Sequence, residues 1–314
     1  MISIIIPCYN GKRLLAKNLP ILIDSIKNTE AEIIVVNDGG RDGTVEFMRK
    51  THPNIKLVNL VKNKGFAGAC NAGARESKGS LLFFLNTDVK VTDNFLEPLI
   101  RHFKDNDSLF AVSPKVLRGQ PPTENESITT GDFQNGTIWI DYLISRKLKS
   151  GDAPMNILYA CGGAMLADKN KFLELGGFDE IYSPLYYEDT DLSFRAWKRG
   201  WQVIYEPKST VHHDQGGTVK KHVNPTKVKV IFTRNRYIFI WKNITDPKMM
   251  AQHFIHMIIP KMLVPNIYEW PGLFLAFTKI FKIIRKRKAQ QQKAVLTDKE
   301  VFSKFESLNK LRYL

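Results

Sequence analysis

The sequence predicts an α/β protein, a mostly parallel central sheet with flanking helices, extended at its C-terminus by further helices. Three observations lead there. Short apolar runs alternate with helical patterns through the first hundred residues. The runs are apolar without interruption, as expected of strands covered on both faces. Polar or glycine-rich turns follow the predicted strand ends, which is where open α/β sheets bind ligands.

Residues 2–6 (ISIII), 32–36 (EIIVV), 55–60 (IKLVNL) and 81–85 (LLFFL) read as strands. Between them, Leu14, Leu15, Leu19, Leu22 and Ile26 fall at helical spacing, as do Phe66, Ala69, Cys70, Gly73 and Ala74. Thr92 or Asp93 then caps a helix reaching Phe103, and residues 109–113 make another strand. From about Gly119 to Pro154 the pattern loosens into polar loops around one strand, GTIWID. Order returns with a strand at 163–167, a helix capped by Asp168 and a stop at Gly176. A helix from Asp189 or Asp191 to Lys198, stopped by Gly200, precedes the strand WQVIYEP. Beyond His222 the chain reads as helical, aromatic and basic, interrupted by Pro247, Pro260, Pro265 and Pro271.

Composition narrows the class. With 43% hydrophobic residues in 314 the chain can build a real core. Three scattered cysteines suit neither a disulfide framework nor a metal cluster and point to the cytoplasm. The start, MISIIIPCYNG, has no basic leader and reads as a first strand. A net charge of +15 calls for a partner of opposite sign: nucleic acid, anionic lipid or phosphorylated small molecules. Residues 279–293 hold seven basic residues and no acid.

Four polar clusters could carry chemistry. In VVNDGGRDGT, Asn37, Asp38 and Asp42 sit among glycines that let backbone approach a ligand, and a carboxylate there can accept from a ribose hydroxyl or a base N–H. In NKGFAGACNAG, Asn63 and Gly65 precede a helix of small residues, without dinucleotide or Walker spacing. In LNTDV, Asn86 and Asp88 follow an apolar strand; they either turn the chain or face the crevice. In YYEDTDLSFRAWKRG, Glu188, Asp189 and Asp191 crowd the start of a helix. Three acids exceed what a cap needs, and close carboxylates raise one another's pKa and can supply a general base.

Taken in order with SIIIPCYNG, CGGAMLADKNKFLELGGFDE and VHHDQGGT, these motifs resemble glycosyltransferase family 2, inverting enzymes with the GT-A fold. The resemblance runs from Ser3 to about Thr218. It implies a catalytic domain over 1–222, with a nucleotide-sugar-binding half (1–110) and an acceptor half (111–222), and a helical, basic, amphipathic region over 223–314. Carried over, Asp88 binds a divalent cation, Mg²⁺ or Mn²⁺, that bridges the donor phosphates. Asn86 stands where many relatives have a first Asp and hydrogen-bonds the donor's ribose or sugar. Asp38 holds the base, with Pro7, Tyr9 and Asn10 lining that pocket and Asn63 and Gly65 beside it. Gly162 and Gly163 let backbone approach the donor sugar. Asp189 is the catalytic base, Glu188 binds acceptor and Asp191 caps and supports the helix. His213 is a late metal or diphosphate ligand, with His212 as competitor. Cys161 is packed rather than reactive.

The implied activity is transfer of a sugar from a UDP-, dTDP- or GDP-sugar to a glycan or lipid-linked acceptor in polysaccharide biosynthesis. Neither the QxxRW-type motif nor the long membrane spans of processive synthases are found, so single addition is expected. A nucleotidyltransferase is the rival enzyme, but would not need an Asp189-type base. A nucleic-acid module rests on net charge alone and lacks recognition signatures. In the tail, Leu273, Phe274, Phe277, Ile280, Phe281 and Ile284 are spaced for one helix face, with Lys279, Lys282 and Arg285 beside it. That face either lies on anionic lipid or packs on protein. The expected location is cytoplasmic, peripheral on the inner face of the cell membrane.

Overall fold

β-Branched and aromatic runs become strands here because both of their faces are covered. The computed structural model describes residues 1–119, 124–141, 153–213, 224–264 and 266–310. The chain opens with β1 (Ile2–Cys8), α1 (Lys12–Ser25), β2 (Ala31–Asp38), α2 (Thr44–Thr51), β3 (Lys56–Leu60), α3 (Gly65–Glu76) and β4 (Leu81–Leu85). Successive strand residues point to opposite faces. Accordingly Ile4, Ile6, Phe83 and Leu85 join one core with Leu15, Leu19, Leu22 and Met48. Ile5, Leu82 and Phe84 join the other with Ala69, Cys70 and Ala74.

Next come β5 (Val89–Val91), α4 (Leu96–Arg101), β6 (Leu109–Arg118), β7 (Glu124–Asn125), β8 (Thr130–Gln134), β9 (Thr137–Asp141), β10 (Met155–Asn156), β11 (Ala164–Asp168), α5 (Lys169–Glu174), α6 (Glu188–Lys198) and β12 (Gln202–His213). Among the described residues the main sheet runs β10-β12-β6-β11-β4-β1-β2-β3, with β5 on β12 and β7 on β6. β1, β2, β3 and β4 are parallel to one another, β11 is antiparallel to β4 and β6, and β12 is parallel to β6. The mostly parallel sheet with flanking helices is as expected.

The C-terminal helices are α7 (Pro225–Asn243), α8 (Pro247–His253), a π-helical turn (Phe254–Ile258), α9 (Ile259–Leu263), α10 (Glu269–Phe277), α11 (Ile280–Gln291), α12 (Asp298–Ser303) and α13 (Glu306–Lys310). Tyr237, Ile238, Phe239, Ile240, Ala276, Ile283, Phe302 and Phe305 lie in the same core as Phe84 and Met165 of the sheet. Residues on both sides of the expected boundary at 222 therefore share one core. That boundary itself, with Gly216, Thr218 and Pro265, lies outside the described residues.

Several local expectations are corrected. No helix starts at Thr92 or Asp93: residues 89–91 pair with β12, and the Thr92 hydroxyl donates to the Thr210 carbonyl instead of capping. The stretch read as loops contains a hairpin, β8 to β9, joined through Asn135 and Gly136 at φ 49° and 74°. Those angles are what a two-residue primed turn demands. In the tail the single predicted helix face is divided between α10 and α11, and Leu273 turns inward onto the core.

Asp191 is likewise more than a cap. Fully buried, its carboxylate accepts from Lys242 Nζ at 2.7 and 2.9 Å, Arg195 Nε at 2.7 Å, the Tyr182 hydroxyl at 2.7 Å and Asn243 Nδ2 at 2.8 Å. Lys242 also reaches Asp179 at 2.7 Å, and Lys286 contacts Asp179 at 3.1 Å. Burial alone would raise the Asp179 carboxyl, but Lys242, Lys286 and Arg195 outweigh it and hold it below the usual range. That contribution is intact at neutral pH and is lost as pH falls through the carboxylate range. Lys242→Met should cost about 3–5 kcal/mol, because it leaves two buried carboxylates under-compensated. Urea unfolding of the variant against the parent checks this.

Candidate active site

The parallel strands β1, β2 and β4 all end at one edge of the sheet, at Cys8, Asp38 and Leu85. β11 runs the other way and pairs Ala164 with Leu85, so Gly162 and Gly163 enter at that same edge. β12 finishes there too, with His213 opposite Val89. The topology thus gathers residues far apart in sequence.

On the β1–β2 side, Asp38 is buried and accepts from the Lys64 backbone N–H at 2.7 Å. Burial raises its carboxyl, while the N–H groups of Lys64 and Gly65 pull it down; the net shift is upward. Gly39, at φ +71°, lies so near the 62–63 backbone that a Cβ would sit 2.6 Å from the Asn63 nitrogen. Asn63 Oδ1 accepts from Gly65 N, and Gly65 takes φ +74°. Pro7 is half-buried and paired with Val36; Tyr9 and Asn10 follow it on the surface. Asn10 Oδ1 accepts from Arg41 N at 2.9 Å, holding the glycine-rich turn against β1. Asp42 is used in that turn as well, accepting from Lys12 N and Thr44.

At the end of β4, Asn86 N donates to the Gly163 carbonyl at 2.9 Å. A Cβ on Gly163 would meet Asn86 Nδ2 at 2.6 Å, so the absence of a side chain is what lets Asn86 lie there. Asp88 is largely buried, and its Oδ2 faces His213 Nε2 at 3.5 Å. His213 Nδ1 lies 3.0 Å from Glu126 Oε2, and Glu126 is paired with Arg118. Hydrogen bonds to Asp88 and to Glu126 push the imidazole up to about 10. So raised, the ring is a cation between two carboxylates; Glu126 behind Nδ1 fixes its orientation and turns Nε2 toward Asp88, and a metal there would have to displace the Nε2 proton. Between His212 and His213, it is His213 that faces Asp88. Glu126 was not singled out from sequence.

No group of three or more His, Cys, Asp and Glu side chains placed to hold a metal occurs among the described residues. One carboxylate and one imidazole still fit Mg²⁺ or Mn²⁺, which take few protein donors and complete their shells with phosphate and water oxygens.

The third group sits at the start of α6. Asp189 Oδ2 accepts from Gly162 N at 3.2 Å and Oδ1 from Thr190 N at 2.7 Å. A Cβ on Gly162 would press on the Phe66 ring at 3.1 Å and reach Asp189 Cβ at 3.4 Å. The glycine pair thus accommodates Asp189 and Asn86 themselves. Burial raises the Asp189 carboxyl against its backbone hydrogen bonds. Burial and then the charge of Asp189 push Glu188 up to about 8. Cys161 is held up to about 12 by burial and Asp189, an inert thiol as expected.

Tyr186 and Tyr187, just before this pair, both take left-handed conformations, φ 69° and 76°. Asn235 of α7 holds them by donating to the carbonyls of Tyr182, Leu185 and Tyr186 at 2.8–2.9 Å, and Arg234 donates to Tyr182 and Ser183. An open cavity of about 510 Å³ lies beside Tyr186, walled by Phe232, Lys229, Tyr268, Asn266 and Glu269. The sequence reading missed this contribution of the tail.

Residues 3–176 match the family described as Glycosyl transferase family 2. Poly-beta-1,6-N-acetyl-D-glucosamine synthase of Staphylococcus epidermidis is 28% identical over 211 residues, covering 66% of this chain and 48% of the relative. The same synthase from Staphylococcus aureus (strain COL) is 28% identical over 208 residues, with the same coverage of 66% and 48%. The chain spans about half the length of the curated relatives it matches. Among solved structures, GalNAc-T7 with UDP, GalNAc and Mn²⁺ superposes at TM-score 0.65 and 16% identity, covering 91% of this chain and 56% of that one. The mannosyltransferase PcManGT from Pyrobaculum calidifontis, in complex with GDP-Man and Mn²⁺, gives TM-score 0.53 at 14% identity, covering 99% and 86%. These two likenesses support the GT-A fold.

Asp88→Ala is expected to abolish Mn²⁺-dependent binding of nucleoside diphosphate while the thermal unfolding midpoint stays near the parent's. Calorimetric titration of UDP and GDP with and without Mn²⁺ checks it; unchanged affinity would make Asp88 a turn residue.

Proposed function

Because the chain belongs to glycosyl transferase family 2, we propose that it transfers a sugar from a nucleotide-diphosphate sugar to an acceptor hydroxyl, with inversion and with help from a divalent cation. The observation that carries this reading is the meeting at one sheet edge of Asp38, the Asp88–His213 pair and Asp189. Asp38, with Pro7, Tyr9 and Asn10, takes the nucleoside of a UDP-, dTDP- or GDP-sugar. Asn63, Gly65, Asn86, Gly162 and Gly163 shape the path toward its sugar. Asp88 and His213 would hold Mg²⁺ or Mn²⁺. The cation, when bound, supplies positive charge to the departing diphosphate.

Asp189 acts on the acceptor. It accepts the hydroxyl proton as that oxygen bonds to the anomeric carbon, while the bond from that carbon to the diphosphate oxygen breaks on the opposite face. A single displacement inverts the configuration. Glu188, held up to about 8 by burial and by Asp189, keeps its proton at neutral pH and leaves Asp189 as the ionised partner. Protonated Glu188 donates to an acceptor oxygen. In this reading the residues that react all come from 1–222, and 223–314 serves the acceptor and the surface. The acceptor is a growing polysaccharide or lipid-linked glycan at the inner face of the cell membrane. Support comes from the synthase relatives and the cavity beside Tyr186. A donor screen with UDP-, GDP- and dTDP-sugars, read as release of nucleoside diphosphate, tests the whole reading; release of pyrophosphate would replace it with nucleotidyl transfer.

Two variants test the roles. Asp189→Asn should retain donor and Mn²⁺ affinity and lose transfer by about 10²- to 10⁴-fold, since the amide cannot take a proton. Full transfer by the folded variant would refute the base assignment. For the pair, the parent's rate should decline as pH rises past about 8, where Glu188 ionises beside Asp189. Glu188→Gln keeps a permanent N–H donor, so its alkaline decline should vanish; a pH–rate profile from 5 to 9.5 decides.

A further inference from the structure

The outward face of residues 254–288 belongs to neither the core nor the reacting edge. Of the twenty-two exposed large hydrophobic residues among the described ones, thirteen fall between Phe254 and Ile284. Along α10 and α11, Trp270, Phe274, Phe277, Phe281 and Ile284 are exposed at alternating spacings of four and three. Gly272, Ala276 and Ile283 are buried, and Gly272 is pressed against Thr233 of α7. Each buried position lies two residues after an exposed one, about 200° around a helix. The inward side already has its partner, so the outward aromatics do not complete the fold. Trp270 Nε1 donates to the Lys261 carbonyl at 2.7 Å, tying α9, with exposed Ile259, Met262 and Leu263, to the same surface.

Charge identifies the occupant. Between residues 254 and 288 the only acid is Glu269, and it is already engaged by Arg236 at 2.7 Å and the Tyr237 hydroxyl at 2.9 Å. Against it stand Lys261, Lys279, Lys282, Arg285, Lys286, Arg287 and Lys288, with Lys282, Arg285 and Lys288 exposed beside the aromatic stripe. Aromatic and aliphatic side chains flanked by cations suit the boundary between acyl chains and anionic headgroups. No helix among the described residues is long and apolar enough to cross a membrane, so these helices would lie along the surface.

We propose that this face docks the protein on an anionic lipid bilayer. Asn266, Tyr268 and Glu269 belong to the same segment and also wall the cavity beside Tyr186. Docking therefore sets that cavity against the bilayer and favours an acceptor presented from the membrane. That consequence for the acceptor rests on the transfer reading; the docking itself does not.

The test uses the full chain with vesicles of phosphatidylcholine alone or with added phosphatidylglycerol, read by co-flotation. The parent should float with the anionic vesicles, far less with neutral ones, and be released by salt. Phe274→Ser with Phe281→Ser, and separately Lys282→Glu with Arg285→Glu, should each cut partitioning by about tenfold or more. Circular dichroism melts and Mn²⁺-dependent nucleoside diphosphate binding should be unchanged in both, which separates loss of docking from loss of fold or of donor site. Failure of the parent to float with anionic vesicles overturns the proposal, as does equal flotation of the variants. So does a dimer, seen by light scattering, that the double serine variant dissolves, since the face would then be taken by a second copy.

Discussion

A single buried carboxylate, Asp191, is the constraint on which the placing of the Glu188–Asp189 pair depends. It sits two residues beyond Asp189 on the same helix, so the turn that presents Glu188 and Asp189 toward the sheet edge sends Asp191 inward. There Lys242, Arg195, Tyr182 and Asn243 surround it. Such a group is costly to bury and its ion pairs return little net stability. What it does supply is register: α6 cannot rotate or slide against α7 without stranding a charge. The same α7 carries Asn235 and Arg234, which grip the carbonyls of the loop leading to Glu188. Orientation of the acidic pair is therefore set from the C-terminal third of the chain, beyond the span that matches the family.

The first hundred residues were legible because their physics is local. Strands buried on both faces leave unbroken apolar runs, and β1 to β4 stand close to where those runs lie. Asp38 and Asp88 could be picked out because an apolar run gives way to polar residues at each, and Asp189 because three acids crowd the start of its helix. Glu126 could not. It meets His213 across 87 positions, through a hairpin-bearing stretch whose short strands are too irregular to show a period. The Asn135–Gly136 turn within that stretch was readable by its residue types and was passed over in favour of composition.

The tail was only partly legible, for a different reason. Periodicity shows that a helix has an apolar stripe; it does not show which side faces protein. Small residues settled that here: Gly272 lies against Thr233 of α7 and Ala276 is buried, so Phe274 and Leu275 between them point away while Leu273 packs on the core. Likewise three acids in a first turn looked like two catalytic groups and a cap, whereas the third answers to Lys242, fifty-one residues further on. Long-range charge pairing leaves no mark on local sequence.

The union of β5 with β12 bears on how this sequence can drift. Asp88 directly precedes three residues that pair, rung for rung, with the end of β12, placing Val89 opposite His213. Val89 and Val91 are buried while Lys90 between them is exposed. The spacing of Asp88 and His213 is thereby written in parity. Lys90 is open to many replacements, but one residue inserted or deleted between 86 and 92 would either turn a valine outward or carry Asp88 away from the imidazole. Lineages descending from this chain should vary freely in the identity of that strand's outer residue and hardly at all in its length.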